Sequence, residues 1–249
     1  MKQYIHILVL LFLTSCAGMK SSNPIKTTDI YDGQYHRLMN YAADEDLAKM
    51  AAVQYQSSLD LNYADPAEGV SLLNWCIFNN KPKAFEKLLE LGADPNWQDT
   101  AGKYAPPVTE AAQIVSTDQF LVAALQHKAD PNRRSVKVLG SENQTPLLGA
   151  VASGELKHVQ LLVEKGADVN YCADTNNSWL PLTDAIVLKH LDIAKYLLEH
   201  GADPHKVRFK RSETEILDMR QLLEETEVSG DAARQKQKEE LLSMLQQAK

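Results

Sequence analysis

Cysteine is scarce in this chain. The three residues, at 16, 76 and 172 of 249, are too few for the disulfide framework that holds small secreted domains together. Long apolar runs are also missing: the most apolar stretch, Ile5 to Leu13, falls well short of the roughly 20 residues a membrane-spanning helix needs. Positive charge is neither abundant nor clustered, with 26 Lys and Arg against 33 Asp and Glu and a net charge of −7. That balance excludes nucleic acid as a partner, since phosphates select basic stripes. The usual catalytic signatures are absent: there is no G-x-S-x-G elbow, H-E-x-x-H helix, G-x-x-x-x-G-K-[ST] loop or CxxC pair. The seven histidines are scattered. His200 and His205 come nearest to a pair, but they straddle Gly201 and Asp203 at a helix end, where imidazole complements the helix dipole. No enzyme, cofactor or metal site is expected. What is present, 44% hydrophobic and 24% charged residues, is the composition of an ordinary folded protein.

The first residues differ from the rest. Lys2, the apolar stretch and the small residues of Thr14-Ser15-Cys16-Ala17-Gly18 make a secretory signal. Leu13-Thr14-Ser15-Cys16 resembles the bacterial lipobox, which implies cleavage before Cys16 and lipidation of that cysteine as the new first residue. Three acyl chains would hold the mature protein, since two lipid signals already give stable anchoring. The resemblance further implies the outer membrane, facing the periplasm, because Ala17 is not the aspartate that retains lipoproteins in the inner membrane. Residues 1–15 are therefore read as the signal, and 16–33 as a lipidated tether of low order carrying Ser21-Ser22-Asn23-Pro24.

The body repeats itself. Leu88 to Asn96 (LLELGADPN) recurs as Leu162 to Asn170 (LVEKGADVN) and Leu197 to His205 (LLEHGADPH), with looser copies at Ala124 to Asn132 and Ser58 to Asn62. The marker aspartates Asp60, Asp94, Asp130, Asp168 and Asp203 lie 34, 36, 38 and 35 residues apart. Upstream of them stand Thr145-Pro146-Leu147-Leu148-Gly149-Ala150, Leu180-Pro181-Leu182-Thr183-Asp184-Ala185 and Ser71-Leu72-Leu73-Asn74-Trp75-Cys76, with a register open by one residue around Pro106-Pro107-Val108. A hydroxyl or proline suits the first turn of a helix. Gly92, Gly166 and Gly201 suit the left-handed residue that ends one. Lys128 stands where these glycines stand, so it is expected in the same conformation. Asn79-Asn80, Ser153-Gly154 and Lys189-His190 mark turns within helix pairs. Cys76 and Cys172 fall several repeats apart, too far to bridge, and are expected as free thiols.

This pattern resembles the ankyrin repeat in period and in its partial T-P-L-H-x-A segments. The resemblance implies an all-α solenoid of helix-turn-helix units with loop fingers: about five repeats over 34–211, closed by a helical cap over 212–249. Within the cap, Ser212 and Glu215 are expected to form a capping box. Ile216, Leu217, Met219, Leu222 and Leu223 would be an apolar helical face, and Leu241 to Leu245 the last helix. Repeat solenoids recognise partners on extended surfaces. The finger insertions bear Trp97, Tyr104, Arg133, Arg134, Lys137, Tyr171 and Trp179, residue types enriched at binding hot spots. A lipoprotein signal joined to such a stack resembles immunity proteins that neutralise lipase-class toxins of type VI secretion. This implies a secreted phospholipase effector as protein partner and membrane contact through the lipid. The alternative is an envelope scaffold or stress-protection protein associated with a periplasmic enzyme such as catalase.

Overall fold

The computed structural model describes residue 26 and residues 30–99, 103–136, 143–173, 180–206, 209–210, 216–228 and 232–247. Cys16, Lys137, Trp179, Ser212 and Glu215 lie outside them. The chain divides into two compact units, one through Pro146 and one from Leu147.

The first unit holds three helix pairs: α1 (Gly33–Ala43) with α2 (Leu47–Ser57), α3 (Leu72–Phe78) with α4 (Pro82–Glu90), and α5 (Pro107–Gln113) with α6 (Gln119–Gln126). First helices pack on first helices and second on second. The local chemistry explains where each begins. Ser71 accepts from Asn74 N at 3.1 Å and Asp46 accepts from Lys49 N at 3.2 Å, satisfying amides that a helix start leaves bare. Pro107 occupies the N1 position after Pro106, which settles the register left open in the sequence. Leu38, Met50, Trp75, Phe85, Leu88 and Leu121 are buried between the pairs. Phe85 of α4 meets Phe120 of α6 edge to face at 5.3 Å, a favoured aromatic geometry. Cys76 is free and buried, its thiol pushed up by desolvation. Cys172, in the other unit, is half-buried.

The second unit begins within α7 (Pro146–Ser153), which is followed by α8 (Leu156–Glu164), and holds α9 (Pro181–Val187) paired with α10 (Leu191–Glu199). It is completed by a ribbon and two cap helices, α11 (Met219–Glu225) and α12 (Ala232–Gln247), with α11 on α9 and α12 on α10. Leu241 and Leu245 are buried against this end. Lys238 donates to the carbonyls of Glu224 and Thr226 at 2.9 Å, which satisfies the end of α11 with a cation.

One expectation fails. Ile216 and Leu217 are not helical but form β2 (Ile216–Leu217), antiparallel to β1 (Phe209–Lys210). Ile216 is 54% exposed while Leu217 is buried, the alternation of a strand rather than a helical stripe. The helix starts only at Met219 because Asp218 caps it: its carboxylate accepts from Gln221 N at 2.8 Å, and Gln221 Oε1 accepts from Asp218 N at 3.0 Å. This reciprocal box begins α11, with Met219, Leu222 and Leu223 buried as expected.

Candidate functional site

The fingers rise from a repeated turn. Each marker aspartate, Asp60, Asp94, Asp130, Asp168 and Asp203, accepts through Oδ1 from the amide two residues ahead at 2.8–2.9 Å, an Asx turn that fixes the chain as it leaves the helix. The residue two beyond the aspartate then reaches into the next repeat. Asn62 Oδ1 accepts from Asp94 N at 2.8 Å, Asn96 Oδ1 from Asp130 N at 2.6 Å, and, in the second unit, Asn170 Oδ1 from Asp203 N at 2.7 Å. Asn96 and Asn170 also donate, to the carbonyls of Lys128 and Gly201 at 3.1 and 2.8 Å. Within each unit these asparagine rungs hold neighbouring finger bases in register.

The rungs depend on a left-handed residue before each marker. It is Ser58, Gly92, Lys128, Gly166 and Gly201 in turn, with φ of 46, 107, 66, 90 and 90°. Lys128 is left-handed as its alignment with the glycines required.

In the first unit further bonds stitch the finger tips. Lys103 pairs with Glu68 at 2.9 Å. Its side chain lies over Gly69, where an added Cβ would stand 3.2 Å from Lys103 Cβ. Tyr104 packs on Phe78 at 5.3 Å. Gln98 donates to Tyr104 O at 2.9 Å and accepts from Val136 N at 2.7 Å, linking two fingers. Ser135 and Gln144 close the next finger at its base, Ser135 N donating to Gln144 O at 2.9 Å. Tyr35 stacks on Tyr63 at 3.9 Å, and Tyr31 donates to Val70 O and Ser71 O at 3.2 and 3.1 Å. Glu110 sits beneath, accepting from Ala105 N at 3.0 Å, its carboxyl pushed up to about 7 by burial.

Of the residues expected to bind a partner, Trp97, Tyr104, Arg133 and Arg134 come together on adjacent fingers of the first unit, while Tyr171 belongs to the second. Tyr104, Trp97 and Tyr171 are half-buried and Arg134 is exposed. Arg133 has a structural duty as well, donating from Nε to Asn96 O at 2.7 Å. Lys206, the matching residue of the second unit, donates to Asn170 O. Sequence reasoning missed Gln98, the Lys103–Glu68 pair and the asparagine rungs. Only the rungs left a signal, in asparagine recurring two places after the marker.

Residues 109–208 match the family model described as ankyrin repeats, in three copies. This segment carries ankyrin repeats. A 65-residue segment is 48% identical to the 2-5A-dependent ribonuclease of Mus musculus, covering 26% of this chain and 9% of the relative. The ankyrin repeat and SOCS box protein 6 of Mus musculus is 27% identical over 233 residues, 83% of this chain and 52% of its own length. The chain thus spans at most about half of these relatives. Among solved structures, an ankyrin repeat domain from Acinetobacter baumannii AYE superposes with a TM-score of 0.65 at 25% identity, covering 86% of this chain and 97% of that one. The fold is the ankyrin-repeat solenoid, seen among the described residues as successive helix-turn-helix units with fingers and two cap helices. Ankyrin repeats are protein–protein interaction modules, typically non-catalytic scaffolds, and no catalytic family is indicated. Among the described residues no helix is long and apolar enough to cross a membrane.

Proposed function

We propose that this chain is a lipid-anchored envelope protein, held through Cys16 at the outer membrane facing the periplasm, that binds a secreted lipase-class toxin through its fingers and covers the toxin's active site. The stitched finger surface of the first unit carries the binding half of this reading. Its backbone is fixed by rungs, by Gln98 and by the Lys103–Glu68 pair before any partner arrives, so little ordering entropy remains to be lost on association. A passive spacer needs no such order. Tyr104, Trp97 and Arg134 supply the amphipathic rings and guanidinium that anchor interfaces. The anchor half rests on the lipobox-like Leu13-Thr14-Ser15-Cys16, and the choice of toxin on the likeness to immunity proteins. An envelope scaffold beside a periplasmic catalase-type enzyme would use the same surface and is the rival.

Titration of the full-length protein against a purified lipase effector encoded beside it tests the reading. The parent should bind and inhibit the lipase. Arg134→Glu should slow association, as rim charges act mainly on encounter, and Trp97→Ala should speed dissociation by about 1 kcal/mol or more. Glu199→Lys on the outer helix α10 is the control that leaves both rates unchanged. No inhibition by the parent, with capture of a catalase instead, would replace the toxin by the rival partner. Separately, Cys16→Ser should abolish fatty-acid labelling and move the chain to the soluble fraction, and unchanged fractionation would remove the anchor.

A further inference from the structure

The fifth helix pair contains two groups whose charged forms its packing does not accommodate. Asp184 lies in α9, where the preceding repeat has Gly149 at the same register position. It is only 4% exposed, and its Oδ1 has no hydrogen-bond partner. His190 stands at the start of α10 with its ring pressed on Gly154 of the preceding turn: a Cβ added there would lie 2.7 Å from His190 Cε1. The two are joined through the backbone, since His190 N donates to Ala185 O at 2.8 Å.

We propose that the α9–α10 pair is a pH-sensitive clasp in the second unit, closed by a neutral Asp184 carboxyl and a neutral His190 ring together.

Among the described residues no cation is paired with Asp184, and Asp192 is the acid that acts on the His190 ring. On α10, Asp192 and Glu199 are exposed, Tyr196 is half-buried, and Lys195 is committed to Glu240 of α12 at 3.1 Å. On α11, Arg220 pairs with Glu224 at 2.8 Å and Glu225 is exposed. The segment of α7 has no ionisable residue, and Glu155, Lys157 and His158 follow Gly154 in the chain. Burial alone therefore raises Asp184, to about 8. For His190 burial is the main influence and lowers it, opposed by Asp192 and a hydrogen bond with the Ala152 backbone and aided by Arg234.

The two linkages run in opposite senses. Asp184, raised when folded, stabilises the clasp fully below its unfolded value near 3.8 and loses that contribution as pH rises to about 8. His190, lowered when folded, stabilises it above 6.5 and loses that contribution as pH falls through the folded value. Between the folded value of His190 and 6.5, opening releases a proton from Asp184 and takes one up on His190, so the two slopes oppose each other. Between 6.5 and 8 only Asp184 acts.

Amide exchange of α9 and α10 in the full-length protein, corrected for intrinsic pH dependence, tests the clasp between pH 5 and 9. Protection in the parent should change less steeply below pH 6.5 than above it, where it should fall up to about tenfold per pH unit toward 8, as one released proton requires. Asp184→Asn should abolish that fall. Asp184→Leu, apolar and free of any unsatisfied amide, should abolish it too if the asparagine packs poorly. His190→Gln should make protection rise on acidification below 6.5. If both Asp184 variants keep the parent's decline, the clasp is excluded.

Discussion

A single lysine shows how the repeat overrides residue preference. Lys128 has φ +66° because its carbonyl must accept from Asn96 while the next turn begins. An L side chain there costs roughly 1 kcal/mol relative to glycine. Lys128→Gly should therefore raise stability in urea unfolding by up to about 1 kcal/mol, moderated by the glycine's greater freedom when unfolded. A loss of stability would mean that the lysine makes a compensating contact. Asn96→Ala removes bonds to Asp130 N and Lys128 O. At about 1 kcal/mol per bond, with discount for exposure, it should destabilise by 1–2 kcal/mol and raise amide exchange at Asp130. An unchanged exchange rate there would show that water replaces the rung. The conformation of Lys128 was legible from alignment with three glycines. The rungs were not, because hydrogen-bond direction between repeats leaves no periodicity beyond the asparagine itself.

Among the elements, the turns inside the helix pairs were the easiest to place. Asn80, Gly154 and Lys189 are left-handed, and each following amide returns to a first-helix carbonyl, such as Glu155 N to Ala150 O at 3.3 Å. Gly154 carries a second constraint, since its φ is +78° and His190 covers it. Gly154→Ala should then destabilise the second unit by more than 1 kcal/mol. Adding His190→Ala should recover part of that loss, a coupling that a double-mutant cycle in denaturant reads directly. Strict additivity would show that backbone strain alone accounts for the effect. The third pair departs from this pattern: residues 114–118 link α5 to α6 with no left-handed residue, leaving Val115 62% exposed. At the ribbon the sequence misled, because Ile216 and Leu217 precede a true helical face and read as its continuation. Asp218, the residue that separates them, is a cap whose partner Gln221 counts as an ordinary helix former until the reciprocal bonds are seen.

At the scale of the molecule, the five repeats and the terminal helices were legible because each repeat states the same helix starts and stops. The binding surface was legible only as a set of insertions, since nothing in a loop's composition says which residue will be spent on the scaffold. Arg133 was read as a recognition residue, and its Nε is engaged with Asn96 O. The rungs make the division physical. Each joins the residue two beyond one marker to the next marker, 32, 34 and 33 residues on where the markers themselves lie 34, 36 and 35 apart, so the bond is kept while the finger between changes length. Four Gly-Ser residues inserted between residues 99 and 103 should then lower stability by no more than about 0.6 kcal/mol, the scale of a loop doubling. The same insertion between Asp94 and Asn96 should lower it severalfold more, and equal losses in paired melting curves would refute the division. Inheritance and innovation thus act on separate atoms in this chain. Mutation is constrained along the asparagine line and at the residues that stitch the fingers, such as Gln98 and Arg133, and freer at the remaining finger positions, so descendants of one ancestor could meet new partners by rewriting those positions alone. The scaffold would pass unchanged beneath them.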